Sequence, residues 1–286
     1  MTPTLVRHHG HPRTLTRTAP ESRARDWAEI QERMLAPLYE AVYERLEVGP
    51  GTRLLSLDCG SGLAPLMAAG RGARVTGVDT DSERLALARA RLPRGAGDGS
   101  GSPAGGPRFL EGGPAAAPPP DGATYNLLTA FTPIGCSFDD GEGLVAALRS
   151  AVPLAGRGAV VVLTGWGPPE RCAAAPVLRV AARLADGGRA SRAGGWRTAG
   201  RDDLEDVAFR AGLHPDGSGR VACPFGYADL DSAVRGLLST RLFDAAARVT
   251  DRSRVEREVA KALRPHRRRD GTVWLPNVFR YLVCTI

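Results

Sequence analysis

Lysine is nearly missing from this chain of 286 residues: Lys261 stands alone among 38 basic residues, and the rest are arginine. Cysteine is scarce too. Its five positions (Cys59, Cys136, Cys172, Cys223 and Cys284) show no C-x-x-C spacing. That excludes a zinc ribbon or a stapled disulfide scaffold and fits free thiols in a reducing cytoplasm. No apolar run approaches the roughly 18–20 residues that span a bilayer, so no membrane helix is expected. The start, Met1-Thr-Pro-Thr-Leu-Val-Arg7, lacks the apolar core of a secretory signal. His8, His9 and His11 have no acid or cysteine near them, which favours a solvated tail over a metal site.

Glycine and proline are plentiful, with 35 and 22 residues, and the formal net charge is +7. Beside the lack of lysine, this arginine, glycine and proline bias reads as the mark of a GC-rich coding genome. A nucleic-acid groove would gather charge on one face. The one dense run, Arg264-Pro-His-Arg-Arg-Arg269, falls where a helix ends and cations suit the helix dipole. Composition therefore argues against a nucleic-acid partner.

The chain is organised around Arg53-Leu-Leu-Ser-Leu-Asp-Cys-Gly-Ser-Gly62 and the following Ala73-Arg-Val-Thr-Gly-Val-Asp-Thr80. Leu54, Leu55 and Leu57 predict a short buried strand, and Gly60 and Gly62 a turn. Residues 63–70 predict a helix with Pro65 in its first turn. A second strand ends on Asp79. Such a βαβ unit brings backbone close to a ligand at a helix N-terminus, and the second acid can hold ribose hydroxyls. The dinucleotide fingerprint G-x-G-x-x-G/A fails here, because Pro65 takes its third place.

The stretch more closely resembles the class I S-adenosylmethionine methyltransferases. Leu54-Leu-Ser-Leu-Asp-Cys-Gly-Ser-Gly-Leu63 is similar to that family's first motif with two substitutions. Thr76-Gly-Val-Asp-Thr80 with the run from Ser82 to Arg91 is similar to its second. The resemblance implies an α/β, Rossmann-like, doubly wound seven-stranded sheet whose last strand is antiparallel, with a helical lid inserted. The alternation of elements supports this. Strands are predicted at 108–110, 125–131, 158–163, 220–223 and 278–285. Helices are predicted at 21–46, 82–92 (Ser82 as N-cap), 143–151, 176–184, 202–212, 230–249 and 253–263. Residues 1–19 read as a flexible tail and 20–286 as one domain, with a cofactor half to 166 and a substrate and lid half from 167. The stretch 93–107 reads as a flexible insertion.

By resemblance, S-adenosylmethionine would be held by Ser56, Asp58, Cys59, Gly60, Gly62, Asp79, Thr80, Gly113 and Ala130. Of these, Gly60, Gly62, Asp79 and Thr80 match the family pattern. Ser56 replaces its strand-end acid, Asp58 its first glycine, Gly113 the acid near adenine, and Asn126 an aspartate of strand four. Asp58 could turn its carboxylate to the methionine ammonium or fill the space that glycine keeps open. Phe131, Thr132, Trp166 and Tyr227 are the candidate substrate contacts, with plain packing as the alternative for each. Trp166-Gly-Pro-Pro-Glu-Arg-Cys172 resembles segments of bacterial small-molecule methyltransferases, with Cys172 structural. His214, after a helix end, reads as a surface turn, and no general base stands out. The resemblance implies methylation of a small-molecule acceptor in bacterial specialised metabolism, with a homodimer as the expected assembly if the chain self-associates. A degenerate relative that keeps the fold without methylating is the other reading. Strand four lacks the Pro-Pro-aromatic sequence of base-amine methyltransferases.

Overall fold

The computed structural model of the chain describes residues 20–92, 106–119, 122–136, 140–185 and 199–286. The expected tail (1–19) and most of the expected insertion (93–105) lie outside the described residues.

Seven strands form the main sheet: β1 (Arg53–Leu57), β2 (Arg74–Asp79), β3 (Arg108–Glu111), β4 (Tyr125–Ile134), β5 (Ala155–Trp166), β6 (His214–Ala222) and β9 (Val278–Thr285). Their order is β3-β2-β1-β4-β5-β9-β6. The first five are parallel, and β9 runs antiparallel between β5 and β6. Because side chains alternate across a strand, each central strand feeds two cores. Leu54, Leu127 and Val162 join one cluster, and Leu55, Leu128 and Val161 join the other. Helices α2 (Ala36–Arg45), α3 (Leu63–Gly70), α6 (Ala175–Ala185), α8 (Leu230–Ser239) and α10 (Arg252–Leu263) contribute buried residues to the first core. Helices α5 (Asp140–Ala151) and α7 (Asp203–Arg210) contribute to the second.

Helix α4 (Ser82–Ala90) starts one residue earlier than Ser82 as cap would require. Asp81 is the N-cap, and its carboxylate accepts from the Arg84 amide at 3.1 Å. A larger difference lies at the N-terminal arm, where one helix over 21–46 is expected. The arm instead runs as α1 (Pro20–Asp26), a π turn (Trp27–Gln31), a 3-10 turn (Glu32–Leu35) and α2. Pro37 in the first turn of α2 supplies the reason, since it has no amide for the Arg33 carbonyl and its ring crowds that carbonyl. Trp27 and Glu32 of this arm lie against Gly60 of the glycine turn, and Gln31 meets Tyr227.

A second small sheet was not expected. Strands β7 (Phe225–Tyr227) and β8 (Val273–Leu275) pair antiparallel, and α8, α9 (Asp244–Val249) and α10 lie between them in sequence. No helix among the described residues is long and apolar enough to cross a membrane.

Candidate active site

The site is built at the carboxyl ends of β1, β2 and β4, where an open α/β sheet presents its crevice. After Leu57 the chain takes three left-handed steps, at Asp58 (φ 45°), Gly60 (φ 59°) and Gly62 (φ 83°), before α3 begins. The Cys59 amide donates to the Val78 carbonyl at 3.0 Å, and the Gly60 amide donates to Asp79 Oδ2 at 2.8 Å. The turn is thus sewn to the end of β2. A Cβ at Gly62 would stand 2.8 Å from the Ala88 Cβ and 3.0 Å from Phe109, so this glycine lets α4 and β3 close on the turn.

Asp79 is buried and fully engaged along one edge. Its Oδ1 accepts from the Asp81 amide at 2.8 Å and pairs with Arg241 Nη2 at 3.3 Å. A carboxylate has about four acceptor positions, so one on Oδ2 stays free beside the Gly60 bond.

The arm covers the other side of the turn. Buried Glu32 accepts from the Ser61 amide at 3.1 Å and from the Ser61 hydroxyl, and pairs with Arg91 at 3.1 Å. A resident carboxylate therefore holds the place at which a phosphate would seek the helix N-terminus. Trp27 lies under the Arg84 guanidinium, 4.3 Å from carbon Cζ to the ring centroid. Its indole Nε1 is buried without a hydrogen-bond partner among the described residues. Burial, then the nearby charge of Arg241, holds Arg84 below the ordinary arginine range.

Three arginines tie the segment after α8 to this edge. Arg84 donates to the Ser239 carbonyl at 2.8 Å, Arg23 to the Thr240 carbonyl and Asp244, each at 2.6 Å, and Arg241 reaches Asp79. Under that strap lies a narrow cavity of about 130 Å³, floored by Trp166, Phe225 and Phe279 and walled by Trp27, Asp79 and Arg84. A wider one of about 480 Å³ runs between β4, α5, α6 and α9, with Ala130, Leu144 and Ala181 in its wall. The two share Asp58, Thr132, Pro133, Leu178, Arg241 and Leu242.

Asp58 opens onto both cavities with no hydrogen bond or ion pair among the described residues. Enclosure by protein raises its carboxyl above the ordinary aspartate value, and the Asp79 charge adds to this. Arg241 and Arg84 oppose the rise.

Of the residues expected at a cofactor, Asp58, Asp79 and Ala130 line the cavities, and Gly60 holds Asp79. The others sit elsewhere. Ser56 is buried inside β1 between Gly77 and Thr129, and Cys59 packs with Leu85, Ala88 and Phe109. Gly62 faces that same packing, while Thr80 and exposed Gly113 border neither cavity. Asn126 is at the opposite end of β4, where it accepts from the Arg53 amide at 2.7 Å and donates to the Gly51 carbonyl, a purely structural post.

Of the residues expected at substrate, Thr132 and Trp166 line the cavities. Phe131 points to the other face of β4 and packs on Tyr39 and Tyr43, with centroids 4.7 and 5.6 Å away. Tyr227 is buried and donates to Gln31 Oε1 at 2.9 Å, steadying the arm instead of meeting a ligand. Cys172 is buried, its thiol 3.3 Å from the Val278 carbonyl. His214 opens β6 as an exposed strand residue. Trp27, Gln31, Arg84 and Arg241 are not among the residues that the sequence singles out.

No protein-family model matches the chain, and no curated protein sequence matches it. Among solved structures it is similar to the YcgJ protein of Bacillus subtilis, at 14% identity and a TM-score of 0.52, over 86% of this chain and 97% of that one. It is similar also to the [4+2]-cyclase SpnF, at 15% identity and 0.51, over 90% and 84%. A methyltransferase from Geobacter sulfurreducens in complex with S-adenosyl-L-homocysteine aligns at 18% identity and 0.47, over 90% and 91%. With the strand order and the antiparallel β9, the fold is that of the class I methyltransferases.

Proposed function

We propose that the chain is an S-adenosylmethionine-dependent methyltransferase acting on a small molecule, in the manner of a tailoring enzyme of bacterial specialised metabolism. The observation that carries this reading is Asp79. It is a buried carboxylate at the end of β2, oriented by the Gly60 amide at 2.8 Å, and it faces a cavity that Asp58 also enters. A ribose diol needs such an acceptor. Cofactor sites occupy roughly 300–1,000 Å³, so the narrow cavity alone is too small and a ligand would extend past Asp58 into the wider one.

The residues fit the cofactor on two counts. The free acceptor position of Asp79 suits a hydroxyl donor, and the unpartnered Trp27 indole nitrogen offers a donor beside it. The cofactor would supply an electrophilic methyl group on a sulfonium. The chain supplies position and a polar lining, which suffice for much of the catalysis of a displacement. Glu32 on the Ser61 amide speaks against a dinucleotide, whose pyrophosphate would meet a carboxylate there.

A second reading is a class I fold that does not methylate, and the Arg241–Asp79 pair favours it, because that pair takes an oxygen the ribose could use. A fold by itself does not decide between them. Replacement Asp79→Ala separates the readings. Under the proposal it weakens S-adenosylhomocysteine binding by about tenfold or more, the worth of one charge-assisted bond. Unchanged affinity would remove Asp79 from the site.

A further inference from the structure

We infer that Asp58 is the proton acceptor for the molecule that is methylated, whose reacting atom therefore carries a proton, as a hydroxyl oxygen does. The inference rests on the methyltransferase reading above and adds the catalytic group that reading leaves unnamed.

The first support is position. Asp58 stands at the junction of the narrow cavity, which holds Asp79, and the wide cavity beyond β4. A cofactor seated on Asp79 reaches this junction as it extends toward the wide cavity, where an acceptor has room to meet it. The second is availability, since every other carboxylate at the junction is engaged. Asp79 accepts two amides and pairs with Arg241, Asp140 accepts the Gly135 amide at 2.7 Å, and Asp244 pairs with Arg23. Asp58 has no such partner among the described residues. The third is backbone conformation. A φ of 45° is one that aspartate tolerates better than most residues, and residues held there gather at functional sites. The turn thus aims a carboxylate into the crevice where glycine would leave none. The charged groups that face it are Asp79, Arg241 and Arg84; although Asp58 is solvent-exposed, the protein packed around it and the Asp79 charge raise its carboxyl and make it a stronger base than an isolated aspartate.

The step balances. The hydroxyl oxygen forms a bond to the methyl carbon, the carbon–sulfur bond breaks, and its electron pair goes to sulfur. The hydroxyl proton moves to Asp58, so a sulfonium and a carboxylate become a neutral thioether and a neutral acid. Solvent in the open cavity then takes the proton.

The test needs no acceptor. Titrate the protein and its Asp58→Asn variant with S-adenosylhomocysteine and with the cofactor analogue that bears an amine in place of the sulfur-bound methyl. A carboxylate facing the transfer point holds that extra ammonium. The wild type should then prefer the amine analogue by about tenfold at neutral pH, and lose the preference as acid protonates Asp58. Asp58→Asn should lose it at every pH, with S-adenosylhomocysteine binding changed by no more than about twofold. Asn keeps the shape and tolerates the left-handed backbone, and Asp58→Gly serves as a second variant should Asn disturb the turn. Equal weakening of both ligands in the variant would make Asp58 the counter-ion of the amino-acid end and overturn the inference. So would a preference that survives the substitution. If neither ligand binds the wild type, the methyltransferase reading falls and this inference falls with it.

Discussion

At the scale of the residue, three left-handed positions at the end of β1 do different work. Gly60 lets the backbone amide reach Asp79 under the cover of Trp27 and Glu32. Gly62 lets Ala88 and Phe109 close on the turn. Asp58, itself solvent-exposed, brings a charge to the same corner, and the protein packed around it with the neighbouring Asp79 raises its carboxyl. The sign of the linked stability follows from that direction. A carboxyl raised on folding adds stability below its ordinary value of 3.8, and that contribution is lost as pH climbs through the raised one. Asparagine does not titrate. The melting temperature of Asp58→Asn should therefore gain on that of the wild type as pH rises from about 4 toward neutrality. A constant difference between the two across that range would contradict the assigned environment of Asp58. Phe131 and Thr132 carry a lesson at this scale. Period-two alternation sends neighbours to opposite faces, so Phe131 joins Tyr39 and Tyr43 while Thr132 meets the cavities. Both are candidate substrate contacts by their place at the end of β4, and the phase of the strand brings only Thr132 to the cavities.

At the scale of the element, the arm and the strap decide what can enter. The apolar stripe of the arm was legible as helix, and Leu38 and Val42 are indeed fully buried. The π and 3-10 turns were not, because they alter ring closure and keep much the same stripe. The strap was still less legible, since Arg241 and Asp79 lie 162 positions apart and either arginine or aspartate alone reads as a solvated charge. Arg241 is half exposed, so the pair itself contributes little stability, about 0–1 kcal/mol. Its weight is local. Arg241→Ala should speed amide exchange across residues 239–249 and leave the central strands unchanged, as read by hydrogen–deuterium exchange. Equal protection in variant and wild type would show that Arg84 and Arg23 hold the strap without it.

At the scale of the whole molecule, the parallel run of β1 to β5 follows from features the sequence displays. Apolar runs such as Leu54–Leu57 and Val160–Leu163 mark strands buried on both faces, and helical stripes between them force parallel crossovers. The bounds of β9 matched the expected 278–285, since an apolar run without breakers leaves little choice. The pair β7–β8 escaped notice because each strand has three residues, too few for a period to show. Of the candidate site, Gly60 and Asp79 were legible because the backbone turn and the strand end mark them. The site was hidden where distant segments converge, at Trp27, Arg84 and Arg241. The central claim is that this convergence forms a cofactor site. Calorimetric titration of the purified chain with S-adenosylmethionine and with S-adenosylhomocysteine tests it most directly. The account predicts micromolar binding of at least one, roughly −8 kcal/mol. No binding heat from either ligand at millimolar concentration would contradict it and leave the non-methylating reading in its place.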